Sequence, residues 1–260
     1  MTALLRTDGV SKAFGGVQAL DSATVEVAEG SIAGLIGPNG SGKTTLFNVI
    51  TGYERVDSGE VYLGGARITN APPDKVFAAG IGRTFQLTRV FSRLTVMENM
   101  IVAAQHHEQR QGRLHNPFAR AGGPATRRRA MELLEFTGIA HHAGALAETL
   151  SYGQRKLLEM SYVLMARPSI VLLDEPAGGV NPTLITMIAD RIRQLNEQGT
   201  TFLIVEHNMD FVMGLCDNVT VLDYGTAVVS GPPDVIRTDP RVLDAYLGTA
   251  EEDDDDIQVG

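Results

Sequence analysis

Ser31-Ile-Ala-Gly-Leu-Ile36, Gly37-Pro-Asn-Gly-Ser-Gly-Lys43-Thr44 and Thr45-Leu-Phe-Asn-Val-Ile50 follow one another without a break, and their order decides the fold. The first is a continuous apolar run, the pattern of a strand buried on both faces of a parallel sheet. The last is a helical run. The segment between them matches GxxxxGK[ST] in the context a phosphate-binding loop requires, a strand before it and a helix after it. Glycines allow the backbone to turn so tightly that its N–H groups converge on an anion, at a helix start whose dipole favours negative charge. The candidate nucleotide-binding residues are therefore Gly37, Asn39, Gly40, Ser41, Gly42, Lys43, Thr44 and Thr45. Lys43 supplies a mobile positive charge for the outer phosphates, and the Thr44 hydroxyl is a ligand for Mg²⁺.

Further buried-strand runs lie at 170–173, 201–205 and 219–222, with helical patterns between them, which argues for an α/β architecture. The helix predicted over 183–198 has Asn181 as N-cap, Pro182 in its first turn and Gly199 beyond its end. The segments 4–14 and 17–27 mix β-branched and polar residues and read as short strands of an outer sheet. Between about Leu87 and Met165 the buried runs vanish, and helices are predicted over 94–104, 126–137 and 151–165. The linker from Gln105 to Pro124 has no apolar period and reads as a mobile surface loop. Its histidines, and the pair His141 and His142, lack metal-ligand spacing and read as solvated.

The chain has 260 residues, 43% of them apolar and 20% charged, as expected of a globular protein with a sizeable core. Cys216 is the only cysteine, which excludes an intrachain disulfide and a cysteine-based zinc site and fits a reducing compartment. No run of 18 apolar residues is present, so a membrane span is not expected. The net charge is −9, but Glu251 to Asp256 supplies six of the negatives, so the body is nearly balanced and nucleic acid is not an expected partner. The acidic stretch itself reads as disordered.

Two further motifs narrow the chemistry. Ile170-Val-Leu-Leu-Asp174-Glu175 is an apolar strand ending in two carboxylates, which suits Asp174 to a metal and Glu175 to polarising an attacking water. Leu150-Ser151-Tyr152-Gly153-Gln154 opens a helix with Ser151 as N-cap, so the amides of residues 151–153 are expected to be free for a second anion.

At this point the sequence resembles the ATP-binding subunits of ABC transporters, whose signature usually reads Leu-Ser-Gly-Gly-Gln; the resemblance runs from Leu4 to about Gly248. It implies a P-loop NTPase core with a parallel sheet and an antiparallel β subdomain (1–86 and 166–248), an inserted helical subdomain (87–165) and a tail (249–260). It implies that Phe14 stacks on adenine, that Gln86 links the metal or water to the helical subdomain, and that His207 bonds the γ-phosphate. Ser151, Gly153 and Gln154 are implied to close on ATP held by a second ATPase subunit, identical or homologous.

Two departures stand out: Tyr152 in the signature, and Gly178-Gly179-Val180-Asn181 where Ser-Ala-Leu-Asp is usual, which puts crosstalk through the acid in doubt. Gly82-Arg83-Thr84-Phe85-Gln86, the long 105–124 segment and Ala245-Tyr246-Leu247-Gly248 look like the ATPases of branched-chain amino acid importers. Urea importers have similar cassettes, and the lipopolysaccharide exporter's ATPase is a more distant relative. The resemblance implies separate membrane permease subunits, an extracytoplasmic solute-binding protein, and a peripheral place on the cytoplasmic face of the membrane. A soluble ABC ATPase acting on ribosomes or DNA, and a nucleotide kinase, are the alternatives from other classes.

Overall fold

The computed structural model describes residues 2–84, 90–110 and 122–246, with the backbone alone for 105–110. In chain order the strands and helices are β1 (Ala3–Phe14), β2 (Val17–Ala28), β3 (Ile32–Ile36), α1 (Lys43–Ile50), β4 (Ser58–Leu63), β5 (Ala66–Arg67), α2 (Pro73–Ala79) and β6 (Ile81–Arg83). They continue with α3 (Val96–Arg110), α4 (Pro124–Phe136), α5 (Tyr152–Leu164), β7 (Ile170–Asp174), α6 (Pro182–Glu197) and β8 (Thr201–Val205). After these come α7 (Met209–Leu215), β9 (Asn218–Asp223), β10 (Thr226–Gly231) and α8 (Pro233–Thr238), and residues 240–246 are again helical.

The chain divides into two compact units, 1–76 with 201–260, and 77–200. The sequence reading drew its limits at 86/87 and 165/166; here β6, β7 and α6 group with the helices.

In the first unit β3 lies between β8 and β9, parallel to both, and β10 continues the sheet antiparallel to β9. Every residue of β3 and β8 is buried, as their unbroken apolar runs require. Gly34 in β3 leaves room for Val212 of α7 and for Cys216 just after it; a Cβ there would stand 3.0 Å from Val212. A second, antiparallel sheet has the order β2-β1-β4-β5. Its strands β1 and β2 fill the predicted segments 4–14 and 17–27 and extend each by one residue. The β1–β2 ladder shifts register between Thr7 and Val10, where Gly9 (φ 57°) forms a bulge that the strand continues past.

In the second unit β6 and β7 pair in parallel. Gly82 is required there because a Cβ would press into Val163 and Pro168. Helices α3, α4 and α5 bury Met100, Leu134 and Leu158. The buried hydroxyls of Thr137 and Ser161 meet at 2.8 Å, so one donates to the other, and the one that accepts gives its own proton to a helix carbonyl, that of Leu133 or of Leu157. The expected loop over 105–124 is corrected in part: α3 continues through Arg110, and Pro124 is the first residue of α4. Residues 111–121 lie outside the described residues, as do Gln86 and the acidic tail. Among the described residues no helix is long and apolar enough to cross a membrane.

Candidate nucleotide site

The loop from Gly37 to Gly42 joins β3 to α1, and its shape depends on glycine at both ends. Gly37 (φ 151°) and Gly42 (φ 99°) are in a backbone region that side chains rarely adopt. A Cβ on the first would overlap the Leu222 carbonyl, and on the second the Ala19 carbonyl. Gly42 is also the N-cap of α1, so no side chain covers the helix's first turn. Lys43 is buried and curls over the loop, donating to the carbonyls of Gly37 (2.8 Å) and Pro38 (2.6 Å) and to Ser41 Oγ (3.2 Å). An uncapped helix start with an ammonium folded into it is an anion cradle. Asn39, Gly40 and Thr44 are exposed and Thr45 is half-buried.

The same unit holds two other sequence-predicted residues. Phe14 ends β1 and is 44% exposed, with Lys12 Nζ lying 5.1 Å from its ring centroid. An aromatic with that much open surface is available for stacking. His207 is exposed just after β8; its amide and that of Asn208 donate to the buried Glu206 carboxylate at 3.0 and 3.2 Å. The Asn208 side chain in turn caps α7. Sequence reading missed Tyr246 as a neighbour of the loop: burial pushes its hydroxyl pKa up, while the nearby Gly37 backbone pulls the other way.

In the second unit Asp174 ends β7, and its carboxylate pairs with Arg83 Nη2 at 3.1 Å, both side chains being 7% exposed. The Asp174 amide donates to Thr84 Oγ1 at 3.3 Å. Glu175 follows in the left-handed region, φ 49°, a conformation that costs a non-glycine residue about 1 kcal/mol or more. Its carbonyl holds the turn, accepting from the Gly178 amide at 3.1 Å and from Lys156 Nζ of α5. The Lys156 ammonium also lies 5.3 Å from the centroid of the Tyr152 ring. A Cβ on Gly179 would come within 3.1 Å of that ring. The two departures from the usual family pattern, tyrosine at 152 and glycine at 179, therefore fit one another.

Ser151 is the N-cap of α5, as expected, but its amide is not free. Gln154 closes a capping box, its backbone N–H donating to Ser151 Oγ at 3.3 Å and its Oε1 accepting from the Ser151 amide at 2.8 Å. The expectation of three free amides is thus corrected to those of Tyr152 and Gly153. The other end of the Gln154 carboxamide meets His142 Nε2 at 2.9 Å, so His142 is bonded rather than merely solvated. Gly153 packs where a Cβ would overlap Leu184, and Asn181 caps α6 by accepting from the Leu184 amide at 2.9 Å. Among the described residues no group of three or more His, Cys, Asp or Glu could hold a metal ion.

Residues 20–178 match the family model described as ABC transporter, and 228–252 match that of a branched-chain amino acid ATP-binding cassette transporter. The high-affinity branched-chain amino acid transport ATP-binding protein LivG of Salmonella typhimurium is 38% identical over 252 residues, 95% of this chain and 98% of that protein. The probable LivG of Archaeoglobus fulgidus is 37% identical over 259 residues, 99% of each. The ADP conformation of MJ1267, an ATP-binding cassette of an ABC transporter, superposes with a TM-score of 0.84 at 34% identity, covering 95% of this chain and all of that one. The family model spans well over half of the sequence, from within β2 to the turn after Glu175, and these relatives extend the likeness to nearly all of it: the chain belongs to the ABC transporter family.

Proposed function

We propose that this chain is an ATP-hydrolysing subunit that powers an ABC importer for branched-chain amino acids. The observation that carries the ATPase reading is the phosphate loop with Lys43 folded into its carbonyls, since those bonds are the ones an incoming phosphate replaces. The solute assignment rests on the C-terminal match over 228–252 and on the names of the full-length relatives.

In this reading the loop amides and Lys43 bind the outer phosphates, and the Phe14 ring stacks on the base. Glu175 orients and polarises the attacking water, and His207 bonds the γ-phosphate. Gln86 links the water or metal to the helical segment. The Thr44 hydroxyl, the Asp174 carboxylate and the Gln86 amide are hard oxygen donors, the kind Mg²⁺ takes alongside substrate phosphates. When bound, Mg²⁺ neutralises charge that develops on the transferring phosphoryl group. Ser151 and Gly153, at a helix start whose next two amides are open, close on ATP held by a second ATPase subunit. Gln154 supports that closure by holding Ser151. The pair works beneath membrane permease subunits on the cytoplasmic face, and an extracytoplasmic binding protein delivers the solute.

Glu175→Gln separates binding from chemistry. It should keep ATP affinity, because the amide preserves the shape of the site, and lose at least about a hundredfold in turnover, because it no longer polarises water. Residual turnover above a tenth of the parent's would remove Glu175 from this role.

A further inference from the structure

The Gln154 carboxamide is used at both ends, and the chemistry of one end fixes the other. Its Oε1 faces the Ser151 amide at 2.8 Å, and an N–H must be met by an acceptor. The group at its other end is therefore the NH₂, a donor, and it faces His142 Nε2 at 2.9 Å. His142 Nε2 must then accept, so the ring carries its proton on Nδ1. The ring comes from a separate short turn, Ala140–His142, whose position is fixed by bonds from the His142 amide to the Ile139 carbonyl and from the Met97 amide to the Ala143 carbonyl. The His141 ring lies beside it, tilted by 42° with 4.1 Å between ring centroids.

We propose that His142 is a positioning residue for the signature serine. It holds the Gln154 carboxamide in the one orientation that presents oxygen to the Ser151 N–H, and so fixes the start of α5. Without an acceptor at 142 the carboxamide is free to rotate, and its NH₂ end against the Ser151 N–H sets donor against donor. The role in ATP closure rests on the head-to-tail reading above, but the hydrogen-bond relay does not.

Two measurements on His142→Ala and His142→Gln separate them. The first is amide hydrogen exchange at Ser151 in the isolated subunit. His142→Ala should speed it by about fivefold, the worth of one ordinary hydrogen bond. His142→Gln, whose Oε1 can accept where Nε2 did, should restore it. Unchanged exchange in the alanine variant overturns the proposal, and so does a glutamine variant that exchanges as fast as alanine, since ring packing would then be what matters. The second is ATP-driven association in a Glu175→Gln background, read by sedimentation. His142→Ala should weaken association by a similar factor of about five and His142→Gln should recover it, with nucleotide affinity of the separate subunit unchanged. If exchange responds but the parent does not associate with ATP, the head-to-tail reading fails and the role of His142 in closure falls with it, while its positioning of Ser151 stands.

Discussion

Arg83 Nη2 lies 3.1 Å from Asp174 Oδ2, an ion pair with both side chains almost wholly out of solvent. It joins the end of β6 to the end of β7 and holds the metal-ligand candidate at its strand end. Arg83→Met would leave the Asp174 carboxylate without its guanidinium in a buried setting, a loss on the order of 3 kcal/mol. The midpoint of urea unfolding should fall accordingly, and Arg83→Met with Asp174→Asn should recover part of it. Equal midpoints for parent and Arg83→Met would show that the pair holds nothing.

Asn181 stands where the family usually has aspartate, and here its side chain caps α6. Asn181→Ala should therefore cost about 1 kcal/mol of stability. Asn181→Asp should cost nothing, because a carboxylate caps as well and is favoured at a helix start by up to about 1 kcal/mol. Thermal denaturation of the three forms checks this; a destabilised aspartate variant would mean that the amide donates a bond the acid cannot.

Cys216 is buried behind β3, and burial, with a smaller push from the Asp217 charge, raises its pKa to about 12. The thiolate is the reactive form, so at pH 8 the folded protein should resist alkylation. Mass spectrometry after iodoacetamide should find Cys216 modified in urea and unmodified in buffer. Equal rates in the two would contradict its placement.

Much of this architecture was legible in the sequence because its signals are local. Asn181, Pro182 and Gly199 bound α6 by chemistry confined to its own ends. The phosphate loop likewise carries its glycines, lysine and flanking elements in one stretch. What the sequence concealed depends on residues far apart in the chain. Nothing near Arg83 announces Asp174, and nothing in the signature announces His142 as the acceptor that completes its capping box. The 105–110 stretch looked like loop because it lacks an apolar period, yet a helix begun at Val96 continues through it. The polar histidines and glutamines there are tolerable helix residues once the helix is under way. Tyr152 and Gly179 each read as a departure, and only their contact shows them to be a matched pair.

On the proposed reading, the helix starts at Lys43 and Ser151 meet phosphate from opposite subunits, so a head-to-tail pair would have two composite sites. Lys43→Ala and Ser151→Arg homodimers should each be inactive. Mixed, they should recover part of the parental ATPase, because one of the two sites then has both faces intact. No recovery, with mixed dimers demonstrated by native mass spectrometry, would show that each chain completes its own site.

Uptake of labelled leucine, isoleucine, valine and urea by cells lacking this gene, with and without the gene restored, tests the assigned function most directly. Loss of uptake of the three amino acids with urea unaffected, rescued by the parent and not by Glu175→Gln, is the expected result. Loss of urea uptake alone, or no change for any of the four, would contradict it.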